Sequence, residues 1–169
     1  MSEKHPSIGM VAPYLFPERG ACPARTHAMA SFLEGKGFTT HLFAPARSTS
    51  VFPGVTRYAG GKNLYSRLKN ASLDLIWSTS PPMTHSFFAA LAAKMKGIPF
   101  VLDLRDPWTD GMLSSRSLNL KRSVYRLIEW ACYLLADKIF IVSPGIERHI
   151  TKYPFISASK IVHIPNGTL

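Results

Sequence analysis

At 169 residues, 46% of them hydrophobic, the chain is long enough to close one core, too short for two ordinary domains, and too apolar for a disordered polymer. Its apolar stretches, such as 87–93, fall well short of the roughly 20 residues that cross a bilayer, and the run from Leu127 to Val142 is broken by Glu129, Asp137 and Lys138. Lys and Arg outnumber Asp and Glu by 20 to 10; the resulting charge of +10 suits a polyanion (nucleic acid, anionic headgroups or a phosphorylated substrate) without choosing among them.

In chain order, Ile8 to Ala12 reads as a first buried strand. A loop containing Pro and Gly leads into a helix from about Arg25 to Lys36, with Met29, Phe32 and Leu33 on one face. Gly37 stands where a left-handed helix cap needs glycine. Phe38 to Phe43 forms the second strand. Residues 45–61 are loop-like, with a short strand at Val55 to Tyr58, and a modest helix follows from Asn63 to Asn70. Leu73 to Trp77 is a strand that runs into Ser78-Thr79-Ser80-Pro81-Pro82. Phe87, Leu91 and Met95 then recur every four residues, beside Phe88 and Ala92, in a helix closed by Gly97. Pro99 to Leu104 gives a strand, Leu118 to Ala136 a long helix, Ile139 to Val142 a strand, Pro144 to Tyr153 a helix and Lys160 to Ile164 a last strand. Continuous apolar strands separated by helices predict an α/β fold. It is a doubly wound, mainly parallel Rossmann-like sheet with helices on both faces, one domain over residues 1–169.

Several function classes drop out. The N-terminus has charges but no apolar segment behind them, so no secretory signal is visible and a soluble, cytoplasmic protein is expected. Cys22 and Cys132 form no CxxC pair and read as two reduced thiols. His5, His41, His149 and His163 lack acidic partners at metal spacing, so no metal and no cofactor is expected. Zinc-ligand spacing, RNA-binding aromatics and a helix-turn-helix pattern are absent, which argues against a nucleic-acid partner.

In a parallel sheet ligands bind outside the carboxyl ends of the strands. That rule selects Tyr14–Arg25, Ser78–Thr84, Arg105–Gly111, Ser143–Gly145 and Pro165–Thr168. The first loop has neither GxGxxG nor GxxxxGK[ST], against a dehydrogenase or P-loop enzyme. Gly20, with Arg19 and Arg25 in the same loop, can bring backbone amides and a helix N-terminus to a phosphate; it reads equally as a plain strand-to-helix turn. Asp103-Leu104-Arg105-Asp106-Pro107-Trp108 is the most distinctive stretch, because charges ending a buried strand are costly unless paired or in contact with a ligand. Asp106 and Arg105 are the candidate catalytic residues, with Trp108 beside them. Asp103, by strand alternation, suits internal hydrogen bonds. The competing account is an ion pair of Arg105 with Asp103 or Asp106. Ser143 reads as an N-cap ahead of Pro144, Ser80 belongs to a rigid turn, Thr84 is placed to cap the next helix, His85 to face the cleft, and His27 lies in the first turn after the Gly20 loop. On the long helix, at 100° per residue, Val124, Leu127, Ile128, Ala131 and Leu135 gather on one side. Arg122, Arg126, Trp130 and Tyr133 gather on the other, a candidate face for a membrane or a protein partner.

The order of these motifs resembles the N-terminal domain of the family 4 (group 1) glycosyltransferases, whose GT-B fold sets two Rossmann-like domains face to face. Four stretches carry the resemblance: the first loop and helix ending in Leu33-Glu34-Gly35-Lys36-Gly37-Phe38; Asp74-Leu75-Ile76-Trp77-Ser78-Thr79 with its Pro-Pro turn; Leu102 to Trp108; and Ala136-Asp137-Lys138-Ile139 to Ser143, followed by Lys160 to Gly167. The resemblance implies a retaining transfer of a sugar from a nucleotide-sugar donor to an acceptor, a sugar, a lipid-linked acceptor or a polysaccharide precursor, at the inner face of a membrane. It places Gly20 near the donor phosphates and Arg105 or Asp106 on the transferred sugar; the loops after the strands add Arg19, Arg25, His27, Ser80, Trp108, Ser143 and Asn166 as candidate donor- or acceptor-binding residues. Many members carry His where Asp106 stands, and Gly20-Ala21 departs from the commoner double glycine. The turn at Asn166-Gly167 normally leads into the nucleotide-binding domain. That C-terminal half is expected to be absent, so the chain would be inactive without it or a partner chain. The alternatives are a non-catalytic α/β module docking on a protein or an anionic membrane, and a sugar-nucleotide epimerase. The latter would need a carboxylate-rich cleft, whereas these loops offer mainly Asp106 and Asp110.

Overall fold

Short apolar strands that alternate with helices leave the chain one economical solution, a parallel sheet with right-handed crossovers. The computed structural model describes residues 5–49, 54–107 and 119–167 and shows that solution. Seven parallel strands, β1 (Ser7–Val11), β2 (Thr39–Pro45), β3 (Thr56–Tyr58), β4 (Leu75–Ser80), β5 (Phe100–Leu104), β6 (Lys138–Ile141) and β7 (Ile161–His163), lie in the order β3-β2-β1-β4-β5-β6-β7. The order reverses at β1, which pairs with β2 through Val11–Phe43 and with β4 through Val11–Ser78. The described helices are α1 (Ala21–Gly35), α2 (Gly61–Asn70), α3 (Met83–Lys96), α4 (Asn119–Leu135) and α5 (Pro144–Ile150).

Alternation along the strands divides the core in two. Val11, Ile76, Leu102, Leu104, Ile139 and Ile141 point to one face, where α2, α3, α4 and α5 bury Leu64, Ala89, Tyr133 and Ile146 against them. Ile8, Met10, Trp77 and Val101 point to the other face, which takes Ala30, Met29 and Leu33 of α1. Helices therefore lie on both faces but unevenly, four against one among the described elements.

Two helix boundaries and one helix face differ from the pattern-based expectation. α1 begins at Ala21, four residues earlier than Arg25, because Gly20 adopts φ 131° and ψ 171° and starts the helix ahead of Pro23. That conformation is open essentially to glycine alone, and proline is tolerated in a first turn, where its missing N–H has no partner to lose. α5 stops at Ile150, short of Tyr153.

The correction on α4 is larger. The side expected to face outward is the buried one: Tyr133 and Cys132 are fully buried, Trp130 is half-buried, and Glu129 is buried beside Tyr133, whose hydroxyl donates to it at 2.9 Å. Trp130 packs edge-on against Tyr153 and Phe155. The physical reason is the neighbour. α3 offers a surface of small residues, Ala89, Ala92 and Ala93, so the aromatic side of α4 fits the core, with Ile128 and Leu135 packed beside it, and Leu120, Leu127 and Leu134 are left outside. Burial of Tyr133 and Trp130 rules out the face of Arg122, Arg126, Trp130 and Tyr133 as a continuous membrane-docking surface.

Candidate functional site

The loops after β1, β4 and β5 meet at one point of the carboxyl edge. The loop after β1 carries Tyr14, Arg19 and Gly20; β4 ends at Ser80, followed by Pro81; β5 leads into Arg105 and Asp106. Together they line an open cavity of about 290 Å³. The Arg105 N–H donates to the Ser80 carbonyl at 3.3 Å, which ties the β4 and β5 loops at the floor.

Helix α1 points its N-terminus into this cavity. Gly20 precedes it without a side-chain cap, so the first-turn N–H groups of Ala21 and Cys22 remain available to a ligand. The helix dipole adds partial positive charge at the same place, and Arg19 and Arg105 add two cations. Arg105 Nε is buried with no hydrogen-bond partner among the described residues. The guanidinium lies beside the Cys22 thiol. Burial pushes that thiol up, and the positive charge of Arg105 draws it only part of the way back, while the thiol itself donates to the Tyr14 carbonyl. Cys22 is thus a neutral wall of the cavity at neutral pH. The carboxylate of Asp106 is exposed at the rim. The result is a positively biased cleft whose described lining holds a single carboxylate, a chemistry that suits a phosphate group and a neighbouring electron-poor carbon.

The residues singled out by sequence do not all arrive here. Gly20, Arg19, Arg105 and Asp106 do. Arg25 does not face the cavity. It is buried and grips Asp103 through two bonds of 2.9 Å, Nε to Oδ2 and Nη2 to Oδ1, while Nη1 reaches the Pro165 carbonyl at 3.4 Å and Asn166 Oδ1 at 3.3 Å. Asp103 thus makes the internal bonds its strand position implies, but its partner is 78 residues away; no salt bridge joins Arg105 to Asp103 or Asp106 among the described residues. Asn166 belongs to this cluster, in a second groove between α1 and the segment after β7. His27 stacks on Phe16 with ring centroids 5.7 Å apart and faces a groove between α1 and β2. Ser80 is buried with its hydroxyl on Met83 Sδ at 3.1 Å. His85 turns toward β3, where its Nδ1 meets the Tyr58 hydroxyl at 3.0 Å, so it does not face the cleft. Ser143 stands at the N-cap position of α5 without a side-chain cap bond. Trp108 and Asp110 lie outside the described residues.

Sequence reasoning missed Tyr14, Cys22 and Pro81 as cavity walls and the long-range pair Arg25–Asp103. A signal for the pair existed: a lone aspartate in the middle of a buried strand requires a cation, and the first turns of α1 hold the arginine.

Comparisons with known proteins bear on the family and the fold. A glycosyl transferase 4-like domain model matches residues 17–167. No curated protein sequence matches the chain. Among solved structures, an α-glucosyltransferase in complex with UDP and a 13-mer DNA containing an HMU base superposes with a TM-score of 0.65 at 13% identity, over 98% of this chain and 43% of that one. An α-glucosyltransferase with UDP gives 0.65 at 14% identity, over 98% and 45%. LpCGTa with UDP gives 0.62 at 11% identity, over 98% and 54%. The chain thus spans about half the length of these structures, and at such identities the likeness is one of fold: a Rossmann-like half of the GT-B architecture. With the family model covering nearly all of it, the chain belongs to the glycosyl transferase 4-like domain family.

Proposed function

We propose that this chain is the amino-terminal, acceptor-side half of a retaining glycosyltransferase that moves a sugar from a nucleotide donor to an acceptor at the cytoplasmic face of a membrane. The observation that carries the reading is the convergence of the uncapped α1 N-terminus at Gly20 with Arg19, Arg105 and Asp106 in one cleft. The N–H groups of Ala21 and Cys22, with Arg19, hold the donor diphosphate as its negative charge grows on departure. Arg105 reaches the sugar hydroxyls, and the Asp106 carboxylate faces the anomeric carbon as positive charge develops there. The nucleotide base is gripped by the complementary half, as the length of the UDP-bound structures suggests. The acceptor is a lipid-linked sugar or a polysaccharide precursor.

The test is made in a protein that joins this chain to its nucleotide-binding half. Asp106→Ala is expected to lower turnover about a hundredfold while leaving the melting temperature and circular dichroism unchanged, since Asp106 is exposed and bonds to no other described side chain. Undiminished turnover would remove Asp106 from the mechanism. A second reading has one observation in its favour: a matched α-glucosyltransferase structure carries DNA beside UDP, and this chain's charge of +10 suits a nucleic-acid acceptor. Sugar transfer to an oligonucleotide, with none to a lipid-linked acceptor, would select it.

A further inference from the structure

One end of the Arg25 guanidinium is left over from the ion pair. Nε and Nη2 form a short fork on Asp103, both at 2.9 Å, while Nη1 donates to the Pro165 carbonyl at 3.4 Å and to Asn166 Oδ1 at 3.3 Å. A guanidinium is planar and rigid, so fixing its fork on a buried aspartate also fixes where Nη1 points. The acceptors there belong to the segment that leaves the sheet after β7. The Ile164 N–H still donates to the Ile141 carbonyl at 2.9 Å. Beyond it, the hydrogen bonds that residues 165–167 make among the described residues are the two from Arg25. Packing does not fix the segment either. It borders an open groove of about 380 Å³ whose α1 side is built largely from alanines, Ala21, Ala24 and Ala28.

We propose, resting on the reading of this chain as one half of a transferase, that Arg25 is a positioning residue which sets the direction of the 165–167 segment, and with it the orientation of the nucleotide-binding half, from beneath the Gly20 cleft. Arg25 touches neither donor nor acceptor in this scheme. It acts because a nucleotide sugar bridges the two halves, phosphates in the cleft and base in the other half. An error in their relative orientation moves the anomeric carbon away from the acceptor and admits water in its place. The two ends of the guanidinium differ in kind. The fork on Asp103 is short and buried, whereas the contacts to Pro165 and Asn166 are long and made to exposed residues. Asn166 is therefore where the coupling can be altered without unfolding the domain.

The test uses the protein that joins this chain to its nucleotide-binding half, with substitutions at Asn166, because changing Arg25 would also break the ion pair. The first readout is the ratio of sugar transfer to donor hydrolysis, which a loss of folded protein does not alter. Asn166→Ala should lower that ratio about tenfold, with the donor KM changed by less than about twofold. Asn166→Asp keeps an oxygen at the same reach and should restore the ratio. The second readout is the width of the distance distribution between two spin labels, one at Lys62→Cys and one on the nucleotide-binding half. Lys62 is exposed on α2, and the native Cys22 and Cys132 are buried. Asn166→Ala should broaden the distribution and Asn166→Asp should not. Either readout unchanged in Asn166→Ala would overturn the proposal, as would an Asn166→Asp variant impaired as much as Asn166→Ala. A joined protein that neither transfers nor hydrolyses would refute the transferase reading instead, and the distance distribution alone would then decide the role of Arg25.

Discussion

Removing Arg25 while Asp103 stays would strand a carboxylate that has no solvent access and keeps only the weaker influence of the Arg105 charge and the Thr79 hydroxyl. Arg25→Met is therefore expected to cost about 3–5 kcal/mol, and Arg25→Met combined with Asp103→Leu to recover most of that loss, in urea unfolding of each variant. Equal destabilisation by the single and double variants would show that the pair does not behave as a buried ion pair. The pair also has a geometric consequence. Arg25 sits five residues after Gly20 and Asp103 two residues before Arg105, so one guanidinium sets the spacing of the two loops that form the cleft. A second expectation concerns His85. Burial, and then the charge of Arg47, lowers its pKa from 6.5 to about 4. Between those values the unfolded chain binds the proton and the folded one does not, so stability is full above about 6.5 and falls as pH drops toward 4. The full effect is of order 2 kcal/mol after allowance for partial exposure. His85→Gln should flatten that slope in thermal melts recorded across the window; an unchanged slope would assign it to other groups.

At the scale of elements, the contact between α2 and α3 is set by Gly61. A Cβ built there would stand 2.0 Å from the ring of Phe88, nearer than any real contact. Gly61→Ala is expected to cost roughly 1–3 kcal/mol by forcing the two helices apart, and Phe88→Leu in the same chain to return part of it. Additive losses in a double-mutant cycle would disprove the contact. This requirement was not legible in the sequence, where Gly61 ended a loop-like stretch. Periodicity did reveal the parallel sheet, the α3 helix closed by Gly97 and the carboxyl-edge loops, because each depends on local spacing. It failed where the neighbour decides. On α4 both sides carry apolar residues, and only the alanine surface of α3 selects the aromatic side as the inner one. The same limit explains the site. Gly20, Arg105 and Asp106 were legible from their places after strands, whereas the diversion of Arg25 to Asp103 depends on a contact spanning 78 residues.

On the function proposed above, the molecule presents one wall of a cleft. The cavity at Gly20 and Asp106 is open, and the UDP-bound structures it resembles are about twice its length. A phosphate held by a helix N-terminus and two arginines on one side remains largely hydrated, so those contacts are screened and contribute little. A nucleotide sugar also loses translational and rotational freedom on binding, and one wall offers few contacts to offset that loss. The 169 residues alone are thus expected to bind UDP- and GDP-sugars with Kd above about 1 mM, near −4 kcal/mol, and to show no transfer to any acceptor. Joining the complementary half should bring the affinity into the micromolar range and restore turnover. Calorimetric titration of both forms makes the comparison. Micromolar binding by the 169 residues alone, about −8 kcal/mol, would mean that the Gly20 cleft holds the donor unaided and that the division of labour between two halves is wrong.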